Sequence, residues 1–507
     1  MALPLVQPHA WPSLGSLLWL AAGLFLVYRV GLVIYRLFFH PLAKFPGPPL
    51  YAASYLPFQF HDKVLGTFVM STLQLHEKYG PIVRVSPTRL SIDGALGWAD
   101  VFARRPGVPE FDKFHQFYGL PKPVAIIAAP RDDHRRQRRL LAHAFSEAAL
   151  QAQEGYLTMY VDLLVQRMRE RAAAGEAVDV VRWFNYITFD IIGELAFADP
   201  FDSLRNSDYH PWIAAMFSSF KANCQAVFLN EYALLRPLLF LLMGTADRAK
   251  HANNRMLSRE KTRKRLDMGV AGRKDIMAYV LQNNADGKAM TAEELFLNAE
   301  ILIMGGSETT ATAMSGLVFL LGHNPAAYRI LVDEIRSAFA SDEDINMKST
   351  ARLPYLHAAI EEGMRLYPPA SETPPRISPG AEVAGHYIPK GVQLSIYQWA
   401  TFRSGRNFVA PDRFAPERWL PPSHPLHDER YDADNKAAFK PFTAGPRDCI
   451  GKNLAYAEMR LIMARLLWNF DLHVLAGQDD WIASQKVYAI YQKTPLMVRF
   501  TPVVREL

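Results

Sequence analysis

The apolar pattern opens with a run. From Leu14 to Val27 the chain carries no charge, and after Tyr28 and Arg29 a second apolar run extends from Val30 to Tyr35. Ser13 to Tyr35 spans 23 residues, and about 20 suffice to cross a hydrocarbon core. Arg29 lies near the C-terminal end, where a long side chain snorkels to the interface. The first basic residues, Arg29, Arg36 and Lys44, all follow the run. A cleaved signal peptide needs its basic flank in front, so the pattern predicts a retained anchor over 13–35, with a short lumenal N-terminus (1–12) and the rest cytosolic. A basic, proline-rich hinge over 36–50 ends in Pro46-Gly47-Pro48-Pro49, which cannot be helical.

From 51 to 507 there is no repeat and no long linker, which predicts one unit dominated by helical periodicity. Thr291-x-x-Glu294 is a capping box. The apolar pattern after it meets no proline until Pro325, predicting a helix of about 33 residues, or ~50 Å. Further helices are predicted over Glu147–Ala172, Trp183–Ala196 and Ile450–Trp468. Strands are predicted over Ile82–Val85 and Arg89–Ile92, around Ser86-Pro87-Thr88, and over Gln393–Tyr397 after Pro389-Lys390-Gly391. The fold class is therefore mainly α (α+β), with small sheets set beside a helical mass.

Half of the 507 residues are hydrophobic and 12% aromatic, which provides ample core and excludes a disordered chain. The balance of 56 basic against 50 acidic residues gives +6. That suits a membrane surface or an acidic partner and is too weak to argue for nucleic acid. The basic run Asp133–Arg139 lacks interleaved aromatics; Arg135, Arg136 and Arg139 are expected to be solvated or to dock an acidic partner. Arg259–Arg265 reads as a solvated helix face. Cys224 and Cys449 are the two cysteines, which excludes a disulfide framework and a cysteine-built zinc site. Cys224 has no charged sequence neighbours and is assigned to packing.

Cys449 has a different setting, Phe442-Thr-Ala-Gly445-Pro-Arg447-Asp-Cys449-Ile-Gly451. It precedes a stretch expected to be an amphipathic helix, with Ile450, Leu454, Ile462 and Leu466 on its apolar face. The N–H groups at the start of such a helix would favour a thiolate. Gly445 and Gly451 would let a flat ligand approach the backbone, and Arg447 supplies a fixed positive charge. A thiolate presented to a planar, anionic, metal-bearing ligand fits these features together.

Phe-x-x-Gly-x-Arg-x-Cys-x-Gly resembles the haem-binding motif of the cytochrome P450 superfamily; five fixed positions match by chance in about one such chain in ten thousand. The resemblance implies Cys449 as the axial ligand of the haem iron, Arg447 near a propionate and Phe442 beside the sulfur. It extends to Glu362-x-x-Arg365, followed by Leu366-Tyr367-Pro368-Pro369, and to Phe414-x-Pro416-Glu417-Arg418-Trp419, implying a buried structural triad of Glu362, Arg365 and Arg418. Gly305-Gly306-Ser307-Glu308-Thr309-Thr310 is similar to the oxygen-binding motif, with Thr309 hydrogen-bonding dioxygen and Glu308 relaying protons from solvent. His134 and Arg138 stand where the family has Trp-x-x-x-Arg, with histidine in place of tryptophan; with Arg376 they are implied as propionate contacts. Phe111, Phe114, Phe117 and Tyr118, together with Ala370–Pro375, fall in intervals that line the family's substrate pocket.

The function implied is haem-thiolate monooxygenation: one oxygen atom from O2 enters a small apolar molecule as a hydroxyl or epoxide. Haem b would be the cofactor. Electrons would come from NADPH through a separate flavoprotein reductase, since no flavin or nicotinamide fingerprint occurs in the chain. His40-Pro41-Leu42-Ala43-Lys44-Phe45-Pro46-Gly47-Pro48 and His134 resemble the filamentous-fungal branch that decorates secondary metabolites, so the expected site of action is the endoplasmic reticulum membrane. Two alternatives stay open: a haem-thiolate isomerase or dehydratase that does not use O2, and a non-catalytic haem-binding membrane protein.

Overall fold

The first helix, α1 (Leu14–Ile34), is N-capped by Ser13, whose Oγ accepts from the Ser16 amide at 3.2 Å. None of its residues is buried against protein. Over Leu14–Phe39 the segment is long and apolar enough to cross a membrane, with a mean hydropathy of 2.2. In this computed structural model the described residues are 13–114, 124–232, 237, 259–270, 272–283 and 289–505. The expected lumenal stretch 1–12, and Phe117 and Tyr118, lie outside them.

The segment expected as a hinge is packed onto the body. Leu42 and Phe45 enter the core. Arg36 donates to the Ala53 carbonyl and Arg84 to the Arg36 carbonyl, both at 2.8 Å. A Cβ on Gly47 would stand 2.2 Å from the Arg84 carbonyl oxygen, so the proline stretch is laid directly against the strand Ile82–Ser86. Proline stiffness is legible in a sequence; the surface it rests on is not.

The body is built from α2 (Arg131–Ala142), α3 (Glu147–Ala173), α4 (Val180–Phe197), α5 (Pro211–Glu231), α6 (Ala292–Gly322), α7 (Pro354–Leu366) and α8 (Lys452–Asn469). Both halves of the capping box at Thr291 and Glu294 form. The long helix is 31 residues and stops short of Pro325 because the residue before a proline is driven out of the helical region. Asn324 accordingly sits at φ −130°, ψ 74°. α6 runs through the middle of the molecule, packed along α4 and crossed by α7 and α8. At one crossing, a Cβ on Gly316 would meet the Tyr367 ring at 2.3 Å.

Two expectations about helices are corrected. α8 begins three residues after Cys449, with Gly451 as its N-cap, and everything from Leu461 to Asn469 is buried. That half of the helix, enclosed on all sides, needs no polar stripe; the amphipathic pattern expected over the whole helix is confined to its first turns, where Lys452 and Asn453 are exposed and Leu454 and Ala457 are buried. The Arg259–Arg265 run is not uniformly solvated either. Arg265 is fully buried in a bidentate pair with Asp275, at 3.1 and 2.8 Å.

A five-stranded sheet lies beside the helices in the order Ile82–Ser86, Arg89–Ile92, Gln393–Ser395, Arg376–Ile377, Asp112–Lys113. The third strand is shorter than expected because Tyr397 already caps the short helix Gln398–Phe402. Lys113 is directly opposite Arg376 in the register. A second sheet joins Ala177–Asp179, Met497–Pro502 and Phe470–Val474. A hairpin of Lys486–Tyr488 and Ile490–Gln492 carries the chain towards α6.

Candidate functional site

The thiol loop lies between the core and α8. The Cys449 amide donates to the Phe442 carbonyl at 3.0 Å, and the Phe442 ring rests on Tyr456 with centroids 4.9 Å apart. The thiol is open although the surrounding body raises its pKa by burial, opposed first by the Gly451 backbone N–H. An open sulfur inside a desolvating environment faces interior space. With α8 starting later than expected, the helix start does not make the thiolate; a metal replacing the thiol proton would.

Gly445 sits at φ +80°, and a Cβ there would be 2.0 Å from the Phe102 carbonyl oxygen. The missing side chain thus lets the thiol loop close on the segment ending at Phe102. A Cβ on Gly451 would have only the Phe145 ring near it, at 3.9 Å.

Around this loop the fold gathers cations. Arg447 donates to the Ala129 carbonyl at 2.9 Å and to Glu110. Arg138 holds Asp448 by its carbonyl at 2.6 Å and its carboxylate at 2.5 Å. Arg376 is buried, with its guanidinium 5.0 Å from the Phe102 ring centroid. His134, on the buried face of α2, is pushed down to a pKa of about 3 by burial and then by Arg447, Lys113, Arg138 and Arg376. It is therefore neutral at physiological pH. Lys113, which sequence reasoning did not single out, is lowered to about 6 by burial and by Arg447 and Arg376. Lys113 and Arg376 are both buried directly across the strand pair, and Lys113 Nζ donates to the Ile126 carbonyl at 3.1 Å and to the Ile127 carbonyl. Burial and the cations disfavour its ammonium form, and a pair of carboxylates arriving there would favour that form again, so the residues present fit a haem with its two propionates. The one sequence hint was a lysine among aromatics in Phe111-Asp112-Lys113-Phe114. Phe111 is buried, and the Phe114 amide donates to the Pro375 carbonyl at 3.1 Å.

A cleft of ≈ 590 Å³ lined in part by His134, Arg138 and Arg447 of this cluster opens between the 100–111 segment, α2 and the Pro446–Arg447 turn. Arg104, Arg105, Arg131, Arg135 and Arg139 line it, against the acids Asp100 and Glu110. Arg136 does not join them, contrary to the expectation that it is solvated. It pairs with Glu294 and donates to the Ala289 carbonyl at 3.0 Å, fastening α2 to the start of α6.

On α6, a Cβ at Gly305 would meet nothing within 4 Å, and Thr309 lies one turn on, its Oγ1 donating to the Gly305 carbonyl at 2.6 Å. That face looks onto open space. The helix continues unbroken through both glycines. Glu308 is turned away: it is 3% exposed and ion-paired with Lys493, which is 4% exposed. Thr312 Oγ1 lies 3.3 Å from Glu308 Oε1 and accepts from Lys493 Nζ at 2.6 Å. Burial raises the Glu308 pKa, and the Lys493 ammonium is the first effect opposing it. Lys493 was not legible in the sequence, being an isolated lysine 185 positions away.

Glu362, Arg365 and Arg418 come together with no exposure at all. Arg365 grips Glu362 in bidentate fashion at 2.8 and 2.9 Å, and Arg418 Nε donates to it at 3.0 Å. The set is larger than expected. Trp419 Nε1 and the Ala415 amide each donate to the Glu362 carboxylate at 2.9 Å, and Asp434 holds the other side of Arg418. Cys224 is buried as expected, but near Lys63, Asp62 and Glu372, so the absence of charged neighbours in sequence did not carry into space.

The comparisons with known proteins agree with this geometry. The family model for cytochrome P450 matches residues 46–500. Cytochrome P450 monooxygenase astJ of Aspergillus oryzae (strain ATCC 42149 / RIB 40) is 41% identical over 477 residues, covering 93% of this chain and 94% of that protein. Cytochrome P450 monooxygenase efuB of Hormonema carpetanum is 39% identical, covering 96% of each chain. The trichothecene C-15 hydroxylase of Fusarium sporotrichioides is 38% identical, covering 97% of this chain and 99% of that protein. With a thiol loop, a cationic cradle and an open α6 face enclosed in one helical body, the chain belongs to the cytochrome P450 family, as a haem-dependent monooxygenase supplied with electrons by a redox partner.

Proposed function

We propose that this enzyme hydroxylates or epoxidises an apolar polyketide, terpenoid or alkaloid intermediate as a tailoring step of fungal secondary metabolism. The observation that carries this reading is the open Cys449 thiol facing interior space beside a crowded set of cations. Haem b is the cofactor, and when bound it supplies the reductive activation of dioxygen. Cys449 Sγ holds the iron, with Phe442 and Gly451 shaping its surroundings and Gly445 letting the loop close. His134, Arg138, Arg376, Arg447 and Lys113 hold the propionates, His134 as a hydrogen-bond donor through its ring N–H.

Thr309 presents its hydroxyl on the open face of α6, and Glu308 supplies protons to it. Glu362, Arg365 and Arg418 fix the core under the thiol loop. Phe111, Phe114 and Ala370–Pro375 line the substrate chamber. Electrons come from NADPH through a flavoprotein reductase whose acidic surface docks at the arginine-lined cleft. Residues 13–35 anchor the chain once in the endoplasmic reticulum membrane, leaving 51–507 as a cytosolic catalytic domain joined through 36–50. The lack of protein cover over α1 supports that reading.

The test is turnover under labelled dioxygen, with NADPH and reductase, on a panel of polyketides and terpenoids. One labelled oxygen atom per product supports the proposal. Rearranged or dehydrated product without label, formed without NADPH, would establish the isomerase instead.

A further inference from the structure

Four charged side chains meet away from the thiol loop and its cations. Asp62 and Lys63 come from the segment Phe60–Leu65, Arg89 from the start of its strand, and Glu372 from the loop after α7. Lys63 Nζ lies 2.9 Å from Asp62 Oδ2. Arg89 Nη2 donates to Glu372 Oε1 and, at 2.8 Å, to Ser395 Oγ. Glu372 also has Asp62 and Lys63 as electrostatic neighbours, so the two pairs form one cluster. A carboxylate that only neutralised Arg89 would take two of its N–H groups in a fork. Glu372 takes Nη2 through Oε1, and Arg89 Nε is buried without a partner.

Burial raises the pKa of Glu372, and Arg89 is the first effect opposing it. Burial also disfavours the Lys63 ammonium, but Asp62, Cys224 and Glu372 outweigh it and hold its pKa above the ordinary lysine value. Their surroundings exclude water, yet the Lys63 side chain is 21% accessible and that of Glu372 15%. Groups left open inside a desolvating body face interior space, as the Cys449 thiol does. α5 bounds that space, bringing Cys224 beside Lys63. So does the C-terminal hairpin, whose Tyr488 hydroxyl donates to the Val64 carbonyl at 3.1 Å. Tyr232, just beyond α5, closes the far side by donating to Gln59 at 2.7 Å. Glu372 is four residues before Arg376, which places it within about 14 Å of that propionate contact.

We propose that Asp62, Lys63, Arg89 and Glu372 form a subsite that holds an otherwise apolar substrate by a hydroxyl group, which donates to Glu372 and accepts from Lys63. This deepens the proposed monooxygenase reading and rests on it. The cluster carries two acids and two cations, so its net charge is zero. A ligand carboxylate would meet the two acids, and a ligand ammonium the two cations. A neutral group that both donates and accepts finds a partner for each role, and a hydroxyl is the smallest such group. Elsewhere in an apolar chamber that hydroxyl would be desolvated without compensation, so the subsite also fixes which end of the substrate lies away from the iron. The substrate then reaches this enzyme already oxygenated. A reaction that leaves a free hydroxyl, such as ketone reduction, ester hydrolysis or an earlier hydroxylation, must supply it.

Optical titration of the full-length holoenzyme tests this without turnover. The probes are 2-naphthol against 2-methoxynaphthalene, and 1-adamantanol against 1-methoxyadamantane; each ether keeps the acceptor and loses the donor. Followed by the Soret shift, each alcohol should bind at least about 10-fold more tightly than its ether, the scale of one hydrogen bond to a charged group. The double variant Arg89→Met/Glu372→Leu removes both charges together, so neither is left buried alone. It should bring the ratio to within about twofold. If that variant takes up no haem, Lys63→Met replaces it, with the ratio expected to fall at least about threefold. Equal binding of alcohol and ether by wild type on both frames, no shift with any probe, or an undiminished preference in the variant overturns the proposal. Failure of the monooxygenase reading would show separately, as a cluster-dependent preference for the alcohols in a protein that gives no labelled product on any substrate.

Discussion

Replacing Glu362 by glutamine changes one buried oxygen to nitrogen and removes one charge. The carboxylate accepts from five donors, Arg365 Nε and Nη2, Arg418 Nε, Trp419 Nε1 and the Ala415 amide, all within 3.0 Å. In Glu362→Gln two guanidiniums with no exposure lose their shared countercharge, and the new amide turns a donor towards donors. Breaking a buried pair in this way costs ~3–5 kcal/mol, against a total of about 5–15 kcal/mol for folded proteins. Asp434 still pairs with Arg418, so Arg365 bears most of the loss. Urea unfolding of the haem-loaded chain in detergent, followed by tryptophan fluorescence, measures it directly, and Trp419 in the cluster is a local reporter. A variant within ~1 kcal/mol of wild type would refute the reasoning, since that is the range of solvated surface pairs. The pH dependence has a definite sign. The two arginines hold Glu362 below the usual carboxylate range despite its burial, so its contribution is full above its unfolded pKa of ~4.3 and is lost as pH falls through the folded value. Glu362→Gln should flatten that part of the acid limb.

Three further outcomes are expected. Gly445→Ala places a Cβ at φ +80° against the Phe102 carbonyl and should sharply lower the haem-to-protein ratio of purified enzyme. Lys113→Met should speed haem loss to an acceptor apoprotein. In the haem-free chain, the lowering of Lys113 from 10.5 to about 6 means the unfolded state binds the extra proton between those values. Stability therefore rises with pH across that window and falls on acidification through it; Lys113→Met removes this slope, read from urea midpoints at several pH values. Arg265→Met should destabilise by about 1–3 kcal/mol in the same unfolding assay, because buried Asp275 loses its bidentate partner and keeps Arg273 as its cation, whereas Arg135→Met, on an exposed pair with Asp132, should stay within ~0.5 kcal/mol.

Much of this was legible from the chain itself because local rules governed it. The α6 cap, the strands around Pro87 and the spacing of Glu362 and Arg365 on one helical face depend on residues a few positions apart. What could not be read depended on distant partners. Lys113 meets Arg376 only through strand pairing, Lys493 meets Glu308 through a C-terminal loop, and Arg265 is buried because Asp275 folds back on it. The amphipathic pattern expected after Cys449 holds only in the first turns of α8 for a related reason: from Leu461 on, neighbours distant in sequence cover every side of the helix. The positive φ of Gly445 is a local property, but the Phe102 carbonyl beside it comes from a distant segment that the sequence does not show. Arg136 looked like one more surface arginine until the N-terminus of α6 was laid beside it.

The most direct measurement is the carbon-monoxide difference spectrum of the reduced, full-length protein, recorded beside Cys449→Ser. A strongly red-shifted Soret band in wild type, lost in Cys449→Ser while haem is retained, is the predicted result, because only a thiolate at position 449 pushes electron density onto the iron in that way. The same band in both proteins, or well-folded wild type that takes up no haem, would contradict the assignment of Cys449 as the ligand on which the rest of the site depends.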